Sequence, residues 1–168
     1  MEQLNHYKAI SIMKKIPCDY DVILYLCGLS AENTGMILRS AKAFGIKKVI
    51  YNGEKLDCRK LKKISRIPGY EIISGDIEII LSLKKEGYVI SALEITDKSI
   101  PIDKYKFPKK ICIVVGNENS GVPSDILSLC DNSFYIPMVQ SELSSLNVSV
   151  ATSIALYKCM EYFLSDID

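Results

Sequence analysis

The sequence predicts an α/β fold, a mostly parallel sheet flanked by helices, on three observations. Apolar runs such as Val22–Cys27 (VILYLC) and Ile111–Val115 (ICIVV) are hydrophobic at every position, as strands covered on both faces are. These runs alternate with segments of helical periodicity. Several hand over directly to clusters of polar residues and glycine, and ligands of open α/β sheets bind beyond such strand ends.

The elements follow in order. Residues 2–16 form a short helical extension with Leu4, Tyr7, Ile10 and Met13 or Ile16 on one side. Val22–Cys27 is a strand bounded by Gly28. Glu32–Phe44 is a helix, and Gly45 closes it at the C′ position. Lys48–Tyr51 is a strand, and Asn52-Gly53 a turn. Ile77–Glu86 is a helix closed by Gly87, and Tyr88–Leu93 the next strand. Ile100–Lys110, with Pro101 and Pro108, reads as a loop. Ile111–Val115 runs into Gly116-Asn117-Glu118-Asn119-Ser120-Gly121. Val122–Leu129 is a short helix with Pro123 near its first turn. Asn132–Ile136 is the last strand, and Pro137, with no N–H to donate, stops it. A polar loop follows. The final helix begins near Leu146–Asn147, with Val150, Ile154 and Cys159 at helical spacing, joined by Val148, Leu156 and Phe163, as its core face.

The 168 residues suit one domain, 1–168, with a substantial core. A hydrophobic content of 48% and a charged content of 24% are ordinary for a globular protein. No apolar run approaches the roughly 18 residues of a membrane span. The first residues lack both the apolar core of a signal peptide and the arginines of a transit peptide, so the expected address is cytoplasmic. The six cysteines include no C-x-x-C pair. They read as small buried hydrophobes in a reducing compartment. His6 is the one histidine, which argues against a zinc site or any other metal centre and against a histidine-activated nucleophile.

The net charge is only +1, yet residues 47–66 carry eight cations against two anions, a net +6, leaving about −5 for the rest. Clustering of this kind fits an anionic partner such as RNA; the alternative is a solvated lysine-rich face. The candidate RNA contacts there are Arg59, Lys60, Lys62, Lys63 and Arg66.

Three polar clusters each follow a strand: Asn33-Thr34-Gly35 with Arg39; Gly116 to Gly121; and Ser144-Ser145-Leu146-Asn147. In a parallel sheet these loops fall on one edge and can converge. Arg39 is one of three arginines beside eighteen lysines, which points to a task needing a planar five-donor fork, such as holding phosphate. Gly116–Gly121 is not a phosphate-binding P-loop, because Val122 stands where the lysine belongs. No G-x-G-x-x-G is present. The acidic, glycine-bounded turn suits a neutral or cationic ligand.

Together, three segments resemble the three motifs of the SpoU-type RNA 2′-O-methyltransferases of the SPOUT superfamily. They are Asn33-x-Gly35-x-x-x-Arg39-x-Ala41-x-x-Phe44-Gly45; Val115-Gly116-x-Glu118-x-x-Gly121; and Ile136-Pro137-Met138 with Ser145-Leu146-Asn147-Val148-Ser149-Val150-Ala151. The resemblance covers about residues 22 to 160. It departs from the family pattern at Val139–Ser144, which contains no glycine.

The resemblance implies a C-terminal trefoil knot, a homodimer with sites near the subunit interface, and transfer of a methyl group from S-adenosylmethionine to a ribose 2′-hydroxyl of tRNA or rRNA. It implies cofactor contacts around Ile95, Gly116, Ile136, Met138 and Leu146. Arg39 would be the catalytic arginine; Glu118, Ser145 and Asn147 would shape the site; Asn33 would face RNA. A guanidinium with a pKa above roughly 12 is a poor base, so Arg39 is read as an orienting and electrostatic group. A competing reading is a catalytically weak RNA-binding member of the same fold; the joint presence of Arg39, Glu118 and Asn147 favours the enzyme. A small-molecule α/β enzyme is disfavoured by the missing nucleotide motifs.

Overall fold

The computed structural model describes residues 20–54, 56, 72–139 and 145–165. The expected N-terminal helix and all five candidate RNA contacts between Arg59 and Arg66 lie outside the described residues.

Seven strands form one parallel sheet: β1 (Asp21–Cys27), β2 (Lys48–Asn52), β3 (Ile72–Ser74), β4 (Val89–Leu93), β5 (Ile100–Pro101), β6 (Lys110–Val115) and β7 (Asn132–Tyr135). Their order is β3-β2-β1-β6-β4-β7-β5, and every neighbouring pair is parallel. The helices are α1 (Ala31–Ala43), α2 (Ile77–Lys85), α3 (Ser124–Leu127) and α4 (Val148–Ser165).

Alternation explains why the central strands are apolar throughout. Val22, Leu24 and Leu26 of β1 and Ile111, Ile113 and Val115 of β6 enter one core, shared with Ile37 and Leu38 of α1 and Leu156, Cys159 and Phe163 of α4. Ile23, Tyr25 and Cys27, with Cys112 and Val114, face the other core, shared with Ile80 and Leu83 of α2 and Ile126 of α3. Successive side chains point to opposite faces, so a strand covered on both sides needs an apolar residue everywhere.

Local chemistry sets the ends. Ser30 caps α1, its hydroxyl accepting from Asn33 N at 3.2 Å, and Asp76 caps α2 through Glu78 N. Gly45 (φ 72°) and Gly87 (φ 88°) take the left-handed conformation where α1 and α2 end, as a C′ glycine does. The four described cysteines are free. Burial pushes the thiol pKa up to about 12 at Cys27 and about 11 at Cys130, and raises Cys112 and Cys159 as well. They are therefore inert small hydrophobes at neutral pH.

Four expectations need correction. The segment 100–110 is not simply a loop: Ile100–Pro101 adds strand β5 beside β7, and Ile102, Tyr105 and Phe107 are buried. The rings of Tyr105 and Phe107 pack on Phe134, and Phe107 also meets Phe163. Strand β3 was not expected. The short helix covers Ser124–Leu127 rather than Val122–Leu129. Val150 is not core: it is 48% exposed, because α4 turns Ser149, Thr152, Ala155, Leu156, Cys159, Met160 and Phe163 inward. The implied trefoil knot depends on the course of residues 140–144, outside the described residues. No described helix is long and apolar enough to cross a membrane.

Candidate active site

Because β6, β4 and β7 are neighbours and parallel, their carboxyl ends meet at one edge. A cavity of about 410 Å³ opens there, walled by residues that follow each strand, a volume within the roughly 300–1,000 Å³ of small-molecule and cofactor sites. Of the nine residues expected to bind cofactor or act in catalysis, eight line it: Ile95, Gly116, Glu118, Ile136, Met138, Ser145, Leu146 and Asn147. Arg39 does not.

The second motif forms the floor. Asn117 and Gly121 bond to each other in both directions, Asn117 N to Gly121 O at 3.1 Å and Gly121 N to Asn117 O at 3.0 Å. The Asn117 side-chain oxygen accepts from Asn119 N and Ser120 N, each at 2.9 Å, the self-bonding expected of an Asx turn. Gly116 is required for space: a Cβ there would overlap the Gly121 carbonyl carbon and Val122 N. The turn is therefore closed tightly on itself, with Glu118 exposed at its tip.

A continuous chain of side-chain hydrogen bonds joins the three motifs. Asn147 caps α4, its oxygen accepting from Ser149 N at 2.9 Å and Ser149 Oγ at 2.6 Å. The Asn147 amide nitrogen donates to Asn33 Oδ1 at 3.2 Å. The Asn33 amide nitrogen in turn donates to a Glu118 carboxylate oxygen. Each amide accepts on one side and donates on the other, so the direction of the whole chain is fixed by the backbone donors of α4. It explains why asparagines stand at 33 and 147: only a side chain that both donates and accepts can relay the contact. Asn33 is thus part of the site, although it was expected only as an RNA contact.

Among the described residues the lining carries two carboxylates, Glu94 and Glu118, and no cationic side chain. Its field favours a neutral or positively charged occupant. Among the described residues no group of His, Cys, Asp or Glu is arranged to hold a metal.

Arg39 is exposed on α1, on the stripe it shares with Glu32 and Met36. It makes no hydrogen bond or ion pair among the described residues. Six residues at about 1.5 Å each place it roughly 9 Å along the helix from Asn33. Beside it lies a groove between α1 and α4 lined by Met36, Val150, Ile154 and Tyr157, where Ser40 and Ser153 hydroxyls meet at 2.7 Å.

Glu94, Asn117 and Tyr135 also line the cavity and were not singled out from the sequence. Their signal was positional: each stands at the carboxyl end of a parallel strand, the edge where the motifs converge.

A protein-family model described as SpoU rRNA Methylase family matches residues 21–157. The chain is similar to the 23S rRNA (guanosine-2'-O-)-methyltransferase RlmB of Acinetobacter baylyi, 31% identical over 138 residues, which cover 76% of this chain and 54% of that protein. It is similar to the TrmH/SpoU tRNA modifying enzyme of A. aeolicus, with a TM-score of 0.75 and 27% identity over 87% of this chain and 77% of that one. The fold is shared with the SpoU methyltransferase AviRb of Streptomyces viridochromogenes, solved in complex with the cofactor AdoMet, at a TM-score of 0.74 and 23% identity, covering 89% of this chain and 61% of that one. The chain spans about half the length of the curated relatives it matches, 54% and 57% for two of them.

Proposed function

The chain belongs to the SpoU rRNA Methylase family, and on that footing we propose that it transfers the methyl group of S-adenosylmethionine to a ribose 2′-hydroxyl of tRNA or rRNA. The observation that carries the reading is the single cavity wall built from the ends of β4, β6 and β7, with the three motifs joined through Glu118, Asn33 and Asn147.

The cavity fits the donor. Gly116 lets the end of β6 pass so close to Gly121 and Val122 that backbone rather than side chain borders the cavity there. Ile136, Met138 and Leu146 offer apolar walls to a flat base, and the exposed Glu118 carboxylate suits a sulfonium or an ammonium. When bound, the donor supplies an electrophilic methyl group on a positively charged sulfur. The protein's own part is positional: holding the methyl group in line with the hydroxyl oxygen and keeping the two apart from water. Asn147 ties the mouth of the cavity to α4, and Glu118 and Asn33 fix its far side. Ser145, exposed on the cavity lining, would face the entering RNA hydroxyl. Titration calorimetry with S-adenosylmethionine should show binding; no heat with folded protein, with and without RNA, would contradict the donor assignment.

The active species in this reading is a homodimer. Met36, Val150 and Tyr157 are 50%, 48% and 54% exposed and adjoin in one apolar groove, a face that suits a self-complementary contact. In this reading Arg39, which neighbours the groove along α1, acts on the cavity of the other subunit rather than its own. Sedimentation velocity should return twice the monomer mass, and a monomer at micromolar concentration would overturn this.

RNA would be held by the basic segment, through Arg59, Lys60, Lys62, Lys63 and Arg66. Changing Lys60, Lys62, Lys63 and Arg66 together to Ala should weaken RNA binding and reduce the salt slope by roughly 3, at about 0.7–0.9 per lost phosphate contact. Donor affinity should not change. An unaltered slope would place RNA on another surface.

A further inference from the structure

Glu94 belongs to none of the three motifs, yet it stands on the cavity wall against the second of them. It is the first residue past β4. Its N–H donates to Phe134 O on β7 at 3.1 Å, which fixes its backbone. One carboxylate oxygen accepts from Ile95 N and the other from Val122 N, both at 3.0 Å. It makes no ion pair among the described residues, so its contacts are to backbone alone.

The Val122 contact matters because Val122 is only 6% exposed. The bond to its N–H is part-buried, so the donor has reduced access to water if its acceptor is removed. The carboxylate lies directly over Gly121, whose φ is +67° and where a Cβ would strike it. Gly116 also runs close to this backbone: a Cβ built on it would overlap Gly121 C and Val122 N. The Gly121–Val122 backbone is thus approached closely by Gly116 and bonded by Glu94. The turn Asn117–Ser120 hangs from this clamped point, and Glu118, which anchors the Asn33–Asn147 chain, is at its tip.

We propose that Glu94 is a positioning residue of the donor pocket: its carboxylate clamps the Gly121–Val122 backbone to the end of β4 and so holds the turn that carries Glu118. The consequence for ligand binding rests on the methyl-donor reading; the clamp itself does not.

Two variants separate a clamp from a charge. Glu94→Met keeps the side-chain length and removes both acceptors. Glu94→Gln removes the charge but keeps an oxygen for Val122 N, while its amide faces Ile95 N, which belongs to a residue 60% exposed that can turn to water. Amide exchange in the ligand-free protein and calorimetry with S-adenosylmethionine and S-adenosylhomocysteine are the readouts. In Glu94→Met the Val122 amide should exchange about tenfold faster or more, and both ligands should bind about tenfold more weakly or worse. Exchange in β1 and β6 should be unchanged. Glu94→Gln should stay within about threefold of wild type on both. Unchanged Val122 exchange in Glu94→Met, or equal losses in the two variants, would overturn the clamp. If the wild type binds neither ligand, the donor reading fails, and Val122 exchange alone still decides the clamp.

Discussion

Arg39→Ala is expected to keep the fold, the dimer and donor affinity, and to slow methyl transfer by about 100-fold or more, roughly 2.7 kcal/mol of transition-state stabilisation. The expectation rests on what Arg39 lacks. It is exposed on α1, bonded to no described residue, and absent from the lining of its own subunit's cavity. Removing it should change stability by only about 0.5 kcal/mol. In the proposed reading, an arginine placed this way in a chain that otherwise uses lysine is held for a ligand. Arg39→Lys should restore little, because a point charge cannot replace two parallel donors on a phosphate. Single-turnover methylation by wild type and both variants decides it. A near-normal rate in Arg39→Ala would transfer weight to the non-catalytic RNA-binding reading.

Gly116→Ala is expected to abolish donor binding on a calorimetric scale, a loss of about 100-fold or more, with about 1–3 kcal/mol of destabilisation as overpacking. Gly116 is buried at the end of β6, and a methyl group there meets backbone atoms of Gly121 and Val122 rather than a side chain that could swing aside. The turn must lift from the strand. That displaces Glu118 and opens the floor of the cavity, since Asn117 and Gly121 are bonded to each other. Normal donor affinity in a folded Gly116→Ala protein would show that the floor is not part of the binding site.

How much of this could be read in the sequence depended on the kind of interaction. Strands β1 and β6 were legible because a strand packed on both faces must be apolar throughout, and no polar residue interrupts VILYLC or ICIVV. Strands β3 and β5 were not, being three and two residues long; their existence depends on neighbours β2 and β7 rather than on their own pattern. Tyr105 and Phe107 were lost in a segment marked by prolines, though their burial against Phe134 is what ties that segment down. Helix α4 is apolar on several sides, so spacing gave the helix and placed Leu156, Cys159 and Phe163 inward, but it also counted Val150, which points out. The cavity was more legible than the core, since parallel strands bring their following loops to one edge. The bonds that organise it were not. Asn33 and Glu118 are 85 residues apart, and no local pattern states that one donates to the other. Glu94 was missed because a glutamate at the end of a strand reads as solvated, whereas here both of its oxygens are occupied by backbone donors.

The most direct measurement is to incubate the purified protein with methyl-labelled S-adenosylmethionine and separate pools of unmodified tRNA and rRNA, digest the RNA to nucleosides, and identify the labelled product. Label in a 2′-O-methylnucleoside from one pool, with that linkage now resistant to alkali, is the predicted result. Label on a base, or none in either pool while the protein binds donor and RNA, would contradict ribose methylation as its activity.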